Sequence, residues 1–171
     1  MLKRGLFFFL LFISLTATSQ TYYIVRHAEK AAVDGNPNMN ASNPPLSDAG
    51  KQRAEALKDA LKGKHISQVF STDLIRTRTT AGPLAELLNL PINTYKPMSF
   101  DAFAPGAAIR EDSIKILVVG HSNTVDDIVN FLCKEQKLTD LADSEYDNLF
   151  IVTIKNGVAT FERKKYGAPS H

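Results

Sequence analysis

The sequence predicts a layered α/β/α domain with a mostly parallel central sheet and an antiparallel C-terminal hairpin at its edge. Three observations predict this fold class. Strand-like apolar runs alternate with stretches of helical periodicity, the strongest strands lack polar alternation, and an Asn-Gly pair separates two apolar runs near the C-terminus. Strands without a polar side are buried on both faces, and helices on both faces of a parallel sheet supply that burial.

Length and composition limit the alternatives. The 171 residues suit one domain, and 44% hydrophobic residues with a net charge of +2 exclude a disordered chain. The 20 basic residues against 18 acidic ones give no excess of the kind that binds nucleic acid. The single cysteine, Cys133, excludes an intrachain disulfide, and its apolar neighbours predict a core side chain and not a catalytic thiol.

Residues 1–19 are predicted to be a signal peptide, which leaves residues 20–171 as the domain. The segment combines a positive start at Lys3 and Arg4, an apolar run at residues 6–15 and small residues at Ala17 and Ser19. An uncleaved anchor is the alternative, but the run is short of the roughly 20 residues that span a membrane. Cleavage predicts an exported protein, periplasmic or extracellular, without a stable membrane anchor.

The first half of the domain is expected to alternate strands and helices. Residues 22–25 predict a strand, followed by a Gly-, Asn- and Pro-rich loop at residues 34–45. Ser47 is expected to cap a helix. The apolar residues of this helix recur at helical spacing, at Ala54, Leu57 and Leu61.

A second strand and helix follow. Residues 67–71 predict the strand, and Ser71 or Thr72 is expected to cap a helix that starts at about Asp73. Proline lacks an amide proton and clashes with the preceding turn, so Pro83 is expected to kink or restart that helix.

The second half contains the strongest strand signal. Residues 91–95 predict a short strand, an irregular loop covers residues 96–108, and residues 114–119 form an apolar run that leads into a helix at residues 124–134. The hairpin strands are predicted at residues 149–154 and 158–163, and the tail at residues 166–171 is expected to fray.

Polar side chains follow three of the predicted strands. Arg26 and His27 come directly after the first strand, His121 and Ser122 follow the strongest strand, and Arg76 lies one turn into a helix. Ligands of open α/β sheets bind beyond the carboxyl ends of the strands, so we expect these residues to share one rim.

Such a cluster suits a phosphate monoester. Arginine donors match phosphate oxygens, and the amides that start the helix after His121 favour an anion. A neutral imidazole can attack phosphorus. His27 and His121 lack the neighbouring ligands of a zinc site, so the sequence predicts neither a metal nor a cofactor.

Four ordered blocks resemble the histidine phosphatase superfamily, which has the phosphoglycerate-mutase-like fold. They are residues 24–29 (IVRHAE), 45–50 (PLSDAG) with Arg53 and Ala54, 70–77 (FSTDLIRT) with Thr80 and Ala81, and 118–123 (VVGHSN). The similarity runs from about Tyr22 to Asn130, although the family usually has glycine where Ala28 stands.

The resemblance implies roles for the same residues. His27 would be the nucleophile that forms a phosphohistidine, and Arg26, Arg76, His121 and Ser122 would bind the phosphate and stabilise its charge. The general acid is the least determined role. Asp101, between Phe100 and Phe103, is our choice because partial burial would raise its pKa, and Glu29 is the alternative.

Departures from the family narrow the expected function. The acid phosphatase and phytase branch carries a second arginine and a proline after the first histidine and an aspartate after the second, where this chain has Lys30, Ala31 and Ser122. Mutases of the family have longer chains. The resemblance therefore implies a small single-domain phosphatase that acts on a phosphorylated small molecule or a phosphoprotein.

Two other functions remain compatible with the sequence. The first is a phosphate-binding pseudoenzyme that keeps Arg26 and Arg76 without turnover. The second is an exported interaction module that uses the aromatic loop from Phe100 to Phe103 as a contact surface.

Overall fold

The computed structural model describes residues 19–32, 40–104, 113–134 and 137–170, and the layered α/β fold predicted from the sequence is confirmed. The described residues form one six-stranded sheet with the order β3-β2-β4-β1-β5-β6. The strands are β1 (Ser19–Arg26), β2 (Gln68–Ser71), β3 (Ile92–Thr94), β4 (Ser113–Gly120), β5 (Asn148–Lys155) and β6 (Val158–Lys165).

The sheet is parallel in its first four positions and antiparallel in the last two. β1 pairs in parallel with β4, and Arg26 lies opposite Gly120, so the ends of both strands meet at one edge. β5 runs antiparallel to β1, and β6 returns along β5. Asn156 and Gly157, which join this hairpin, have φ angles of 51° and 80°, as a two-residue turn between twisted strands requires.

Helices cover both faces of the sheet. The helices α1 (Asp48–Leu61) and α2 (Ile75–Leu88) pack on one face, and α3 (Val125–Leu132) packs on the other. Alternate side chains of β1 enter the two cores: Tyr23 and Val25 join the α1–α2 core, whereas Tyr22 and Ile24 join the α3 core. β1 is therefore buried on both faces, as predicted.

The start of α1 follows the sequence prediction and brings the helix close to the loop after β1. The Ser47 hydroxyl accepts a hydrogen bond from the Gly50 amide at 3.1 Å, and the Ser47 amide donates to the Glu29 carbonyl at 2.9 Å. A Cβ at position 50 would collide with the same Glu29 carbonyl oxygen. Only glycine permits this approach, which fixes the backbone two residues beyond His27.

The predicted cap of α2 is wrong. The helix begins at Ile75, and neither Ser71 nor Thr72 caps it; instead the Asn43 side chain accepts from the Ile75 amide at 2.9 Å. Asn43 lies in the loop before α1, 32 positions from Ile75. A residue that is distant in sequence therefore replaces the local cap.

The restart that was one of the two expectations at Pro83, beside a kink, does not occur. α2 continues from Ile75 to Leu88 with Pro83 inside it. Ala81 and Leu84, on either side of the proline, are fully buried in the core between α2 and the sheet. That packing holds the helix together across the missing hydrogen bond.

Two further expectations about the second half are corrected. The tail is ordered as far as Ser170, because Tyr166 is only 5% exposed and its amide donates to the Asp147 carbonyl. Phe103 is fully buried and Phe100 packs against it, so these rings belong to the core and do not form a contact surface. Cys133 is buried in the same core, as predicted, and burial raises the pKa of its thiol.

Part of the sequence prediction lies outside the described residues. The predicted signal peptide is outside them except for Ser19, which is the first residue of β1. Much of the loop predicted at residues 34–45 and the end of the loop at 96–108 are outside them as well. Across the described ranges, none of the helices is long and apolar enough to cross a membrane.

Candidate active site

A cleft of about 370 Å³ opens at the carboxyl ends of β1 and β4. It brings together five residues that the sequence predicted for the site: Arg26, His27, Arg76, His121 and Ser122. The other lining residues are Lys30, Pro97, Met98, Asn123, Thr124 and Asp143. The expected common rim therefore exists, and it follows from the parallel pairing of β1 and β4.

His27 is buried at the bottom of the cleft, and two backbone carbonyls, those of Gly120 and Ala28, hold it in place. Its side chain is 4% exposed, and its amide donates to the Gly120 carbonyl at 2.9 Å. Nδ1 lies 2.8 Å from the Ala28 carbonyl oxygen, which can only accept, so Nδ1 carries the proton and Nε2 keeps the lone pair. Burial, reinforced by the charges of Arg26 and Arg76, lowers the pKa of His27 to about 3. The ring is therefore neutral at physiological pH.

His121 lies beside His27, with 5.4 Å between the two ring centroids. Its Nε2 is 2.9 Å from the hydroxyl of Thr72, which follows β2 and contacts Thr77 at 3.0 Å. Burial and the charges of Arg76 and Arg26 lower the pKa of His121 to about 4. A hydroxyl network from the next strand along the sheet thus orients this second neutral imidazole.

Arg26 is 3% exposed and is held by neutral groups. Its Nη1 donates to three backbone carbonyls, those of Ala142, Asp143 and Glu145, at 2.9 to 3.2 Å. The guanidinium carbon lies 4.1 Å from the centroid of the Tyr146 ring. The Nε atom is buried and lacks a hydrogen-bond partner among the described residues. Arg26 therefore lines the cleft with a positive charge that neutral groups hold in place.

Arg76 adds a second uncompensated cation. Its Nη1 makes a long hydrogen bond of 3.4 Å to the Ser42 carbonyl, and its Nε is buried without a partner in the described part of the chain. Burial lowers the pKa of this guanidinium, although arginine remains charged. With Lys30 the lining has three cations, and its described carboxylate, Asp143, is fully exposed. The cleft is therefore built to receive an anion.

Three backbone amides of the turn after β4 are engaged in local hydrogen bonds and are not free for an anion. The His121 amide donates to the Thr124 hydroxyl at 2.9 Å, and the Thr124 and Val125 amides donate to the His121 carbonyl. These three donors are used within the turn. Their bonds shape the turn that presents His121 and Ser122.

Neither predicted general acid is among the described residues of the cleft lining. Asp101 is exposed in a short 3₁₀ turn, Asp101–Phe103, so the expected partial burial is wrong. The Glu29 carboxylate is held by Arg53, whose Nε and Nη2 donate to it at 2.6 to 2.9 Å. Arg53 also donates to the carbonyls of Tyr166 and Ala168. Arg53 of α1 therefore joins Glu29, in the loop after β1, to the C-terminal tail.

Sequence reasoning missed two residues that shape the site, and for different reasons. Thr72 directly follows a strand, so the rule that found His121 could also have found Thr72. Tyr146 lies 120 positions from Arg26 and in no recognisable motif, and only the folded chain places the two side chains together. Within the described ranges, no cluster of three or more His, Cys, Asp or Glu side chains is arranged to hold a metal ion.

Comparison with known proteins shows a family similarity over part of the chain. The family model described as histidine phosphatase superfamily (branch 1) matches residues 22–98, which include Arg26, His27 and Arg76. A curated relative, phosphoserine phosphatase 1 of Hydrogenobacter thermophilus, is 35% identical over 69 residues, which are 40% of this chain. The alignment spans only 33% of that relative's length.

Solved structures extend the similarity of the fold to most of the chain. The protein histidine phosphatase SixA complexed with tungstate is 22% identical, with a TM-score of 0.66 over 85% of this chain and 96% of its own. Phosphoglycerate mutase from Bacillus anthracis is 15% identical, with a TM-score of 0.62 over 87% of this chain and 94% of its own. Residues 22–98 are therefore similar to the histidine phosphatase superfamily, and most of the chain shares the fold of these solved structures.

Proposed function

We propose that this chain is a metal-independent phosphomonoester hydrolase that acts through a phosphohistidine intermediate on His27. The observation that carries the proposal is a buried neutral imidazole in one cleft with two buried arginine Nε donors that lack a hydrogen-bond partner among the described residues. Phosphoryl oxygens would satisfy those donors and balance their charge. The family similarity and the phosphatase names of two relatives support the same reaction class.

In the first step, His27 takes the phosphoryl group. The Nε2 lone pair attacks phosphorus, the bond from phosphorus to the leaving group breaks, and the leaving group departs with the electron pair. The Ala28 carbonyl accepts from Nδ1–H and stabilises the positive charge that develops on the ring. In the second step, water attacks phosphorus, the P–N bond breaks, and inorganic phosphate leaves with the lone pair restored to Nε2.

The surrounding residues would stabilise the charge on the transferred group. Phosphoryl transfer requires mainly positioning and electrostatic stabilisation, which Arg26, Arg76 and His121 are placed to provide. Ser122 and Lys30 line the same cleft and can donate to outer oxygens. No step in this scheme needs a metal ion or a cofactor.

The cleft favours leaving groups that need little protonation. The carboxylate of the described lining, Asp143, is fully exposed and lies 3.8 Å from Arg26 Nη2, so it is not a buried acid. We therefore expect phosphorylated imidazoles and aryl phosphates to react faster than alkyl phosphates. The substrate would be a phosphorylated small molecule or a phosphoprotein side chain.

The test is turnover of p-nitrophenyl phosphate with a chelator present, together with acid and base quenches of enzyme labelled by a phosphoryl donor. A label that survives base, is lost in acid and is absent from His27→Ala would identify the phosphohistidine. His65→Ala, which changes an exposed histidine outside the cleft lining, is the matched control and should label normally.

Three outcomes would overturn parts of the proposal. Equal rates on phosphohistidine and phosphoserine peptides would contradict the expected leaving-group preference, and a strong preference for phosphoserine would reverse it. A protein that binds inorganic phosphate but shows neither turnover nor label would be a phosphate-binding pseudoenzyme.

We also propose that the protein is exported after cleavage of residues 1–19. The support is the charged, apolar and small-residue order of that segment. Mass spectrometry of the N-terminus after expression with a secretion pathway tests this, and an intact Met1 in the exported fraction would contradict it.

A further inference from the structure

We infer that Tyr146 is a positioning residue for Arg26, and that the loop at residues 141–147 sets the orientation in which the guanidinium meets the phosphoryl group. The inference rests on the proposed function for its chemistry. Neither residue 146 nor this loop belongs to any of the four blocks that resemble the family. The connection exists only in the folded chain.

The first observation is how the loop receives Arg26. Three carbonyl oxygens converge on one nitrogen, Nη1, at 2.9 Å for Ala142, 3.1 Å for Asp143 and 3.2 Å for Glu145. One nitrogen has only two hydrogens, so the three acceptors share them and form a cradle. With Nη1 engaged in the loop and Nη2 near the Tyr146 hydroxyl, Nε is the guanidinium nitrogen without a hydrogen-bond partner among the described residues.

The second observation is the Tyr146 ring. The Arg26 guanidinium carbon lies 4.1 Å from its centroid, and the Tyr146 hydroxyl is 3.4 Å from Nη2. The same ring lies 6.1 Å from the His27 ring. An aromatic face attracts a cation without cancelling its charge. The tyrosine therefore restricts the guanidinium to one plane and leaves its charge available to an anion.

The third observation is that the loop itself is held at both ends. The Leu141 amide donates to the Ser122 carbonyl at 2.9 Å, next to His121. The Tyr146 amide donates to the Ser170 hydroxyl at 2.9 Å, and the Asp147 carboxylate binds Lys165 at 2.7 Å. The cradle is thus anchored to the turn after β4, to β6 and to the C-terminal tail, and it cannot follow Arg26 if the side chain moves.

The expected consequence is a functional loss without a folding loss. Tyr146 is partly exposed, so replacing its ring removes a restraint on Arg26 and little core. Tyr146→Leu should lower kcat/KM for p-nitrophenyl phosphate and weaken the binding of inorganic phosphate, each by about tenfold, as a partly desolvated cation–π contact allows. Tyr146→Phe keeps the ring face and should stay within about threefold of wild type.

The experiment compares these variants with Phe131→Leu, which removes a partly exposed aromatic ring on α3 outside the cleft lining. That control should leave both quantities unchanged. A double-mutant cycle then adds Tyr146→Leu to Arg26→Ala and measures phosphate binding. If Tyr146 acts through Arg26, the second substitution has no further effect.

Several outcomes would overturn the inference. They are wild-type phosphate binding in Tyr146→Leu, an equal loss in Tyr146→Phe, or a full additional loss in the Arg26→Ala background. Failure of the proposed function looks different: Tyr146-dependent phosphate binding without turnover would refute the hydrolase and leave the positioning role intact. No phosphate binding by the wild type would refute both.

Discussion

Arg26 and Arg53 are two buried arginines in similar surroundings that differ in how their charge is balanced. Arg26 is 3% exposed and Arg53 is 6% exposed, and both donate to backbone carbonyls of the C-terminal part of the chain. Each lies near a tyrosine ring, at 4.1 Å for Tyr146 and 5.9 Å for Tyr166. Arg53 also binds the Glu29 carboxylate at 2.6 Å, whereas the carboxylate near Arg26 is the exposed Asp143 at 3.8 Å.

The difference separates a structural arginine from one prepared for an anion. A buried charge that is fully paired links parts of a fold, and its removal leaves a partner uncompensated. A buried charge held only by dipoles and an aromatic face projects its field into the cleft. That field contributes to the lowered pKa values of both His27 and His121.

Loss of Arg26 should have the largest effect, and it should fall on activity. Arg26→Ala removes a preorganised donor and a cation from the transferred phosphoryl group, so kcat/KM should fall by about 100- to 1,000-fold. Steady-state kinetics on p-nitrophenyl phosphate measure this. A fall of less than tenfold would mean that Arg26 is not the anion site that the comparison requires.

Loss of Arg53 should lower stability and leave activity nearly unchanged. Arg53→Ala leaves the Glu29 carboxylate and two tail carbonyls without their donor, so the free energy of unfolding should fall by about 3 kcal/mol. Urea denaturation measures the change, and kcat/KM per folded molecule should stay within a few-fold of wild type. Arg78→Ala, which breaks an exposed pair with Asp73, is the control and should cost far less. Equal destabilisation by both variants would remove the distinction.

Acid should destabilise the protein through the cleft. The folded pKa of His27 is about 3, whereas the unfolded value is about 6.5, so the unfolded chain takes up a proton first as the pH falls. The contribution of neutral His27 to the free energy of unfolding is therefore fully present above pH 6.5 and decreases progressively below it. Between pH 7 and pH 5, His27 should cost about 2 kcal/mol of unfolding free energy.

Urea denaturation between pH 7 and pH 5 tests whether the free energy of unfolding falls as the pH falls. His27→Gln should remove only the His27 share of the pH dependence, because His121, with a folded pKa of about 4, still contributes its own. His65→Gln, at an exposed position, should leave the pH dependence as in wild type. A wild-type protein whose stability is constant between pH 7 and pH 5 would show that the cleft does not hold His27 neutral.

The smallest effect is expected at Asp101. Because its carboxylate is exposed and outside the described cleft lining, Asp101→Asn should change the rates on aryl and alkyl phosphates by less than about twofold. Rates on both substrate classes measure it. Selective slowing of the alkyl phosphate would restore Asp101 as the general acid and weaken the expected preference for good leaving groups.

Local signals predicted most of the fold, and they were wrong where a distant residue changed the outcome. The apolar run of β4 and the Asn-Gly turn of the hairpin needed no tertiary information, since each follows from burial or backbone preference. The cap of α2 was wrong because Asn43 supplies it from another loop. Pro83 does not end α2 because packing on the sheet holds the helix across it.

The residues of the candidate site also fall into those that local sequence signals predicted and those that depend on distant partners. Arg26, His27, His121 and Ser122 were predictable because they follow buried parallel strands, whose ends must meet at one edge of the sheet. Glu29 and Asp101 could not be judged from sequence, since the role of a carboxylate depends on its partners and its burial. In the structure, the Glu29 carboxylate accepts hydrogen bonds from Arg53, and the Asp101 side chain is exposed to solvent.

The sequence by itself determined the order of strands and helices, the residues that meet at the strand ends and the similarity to the histidine phosphatase superfamily, because these depend on local patterns. Only the tertiary structure decided which buried arginine keeps its charge free and which residues hold it there. Tyr146 and the carbonyls of its loop contact Arg26 across more than a hundred residues, through dipoles and an aromatic face. Such contacts carry no sequence signature, because every residue has a carbonyl and the approach of the loop is set by the anchoring of the whole C-terminal segment.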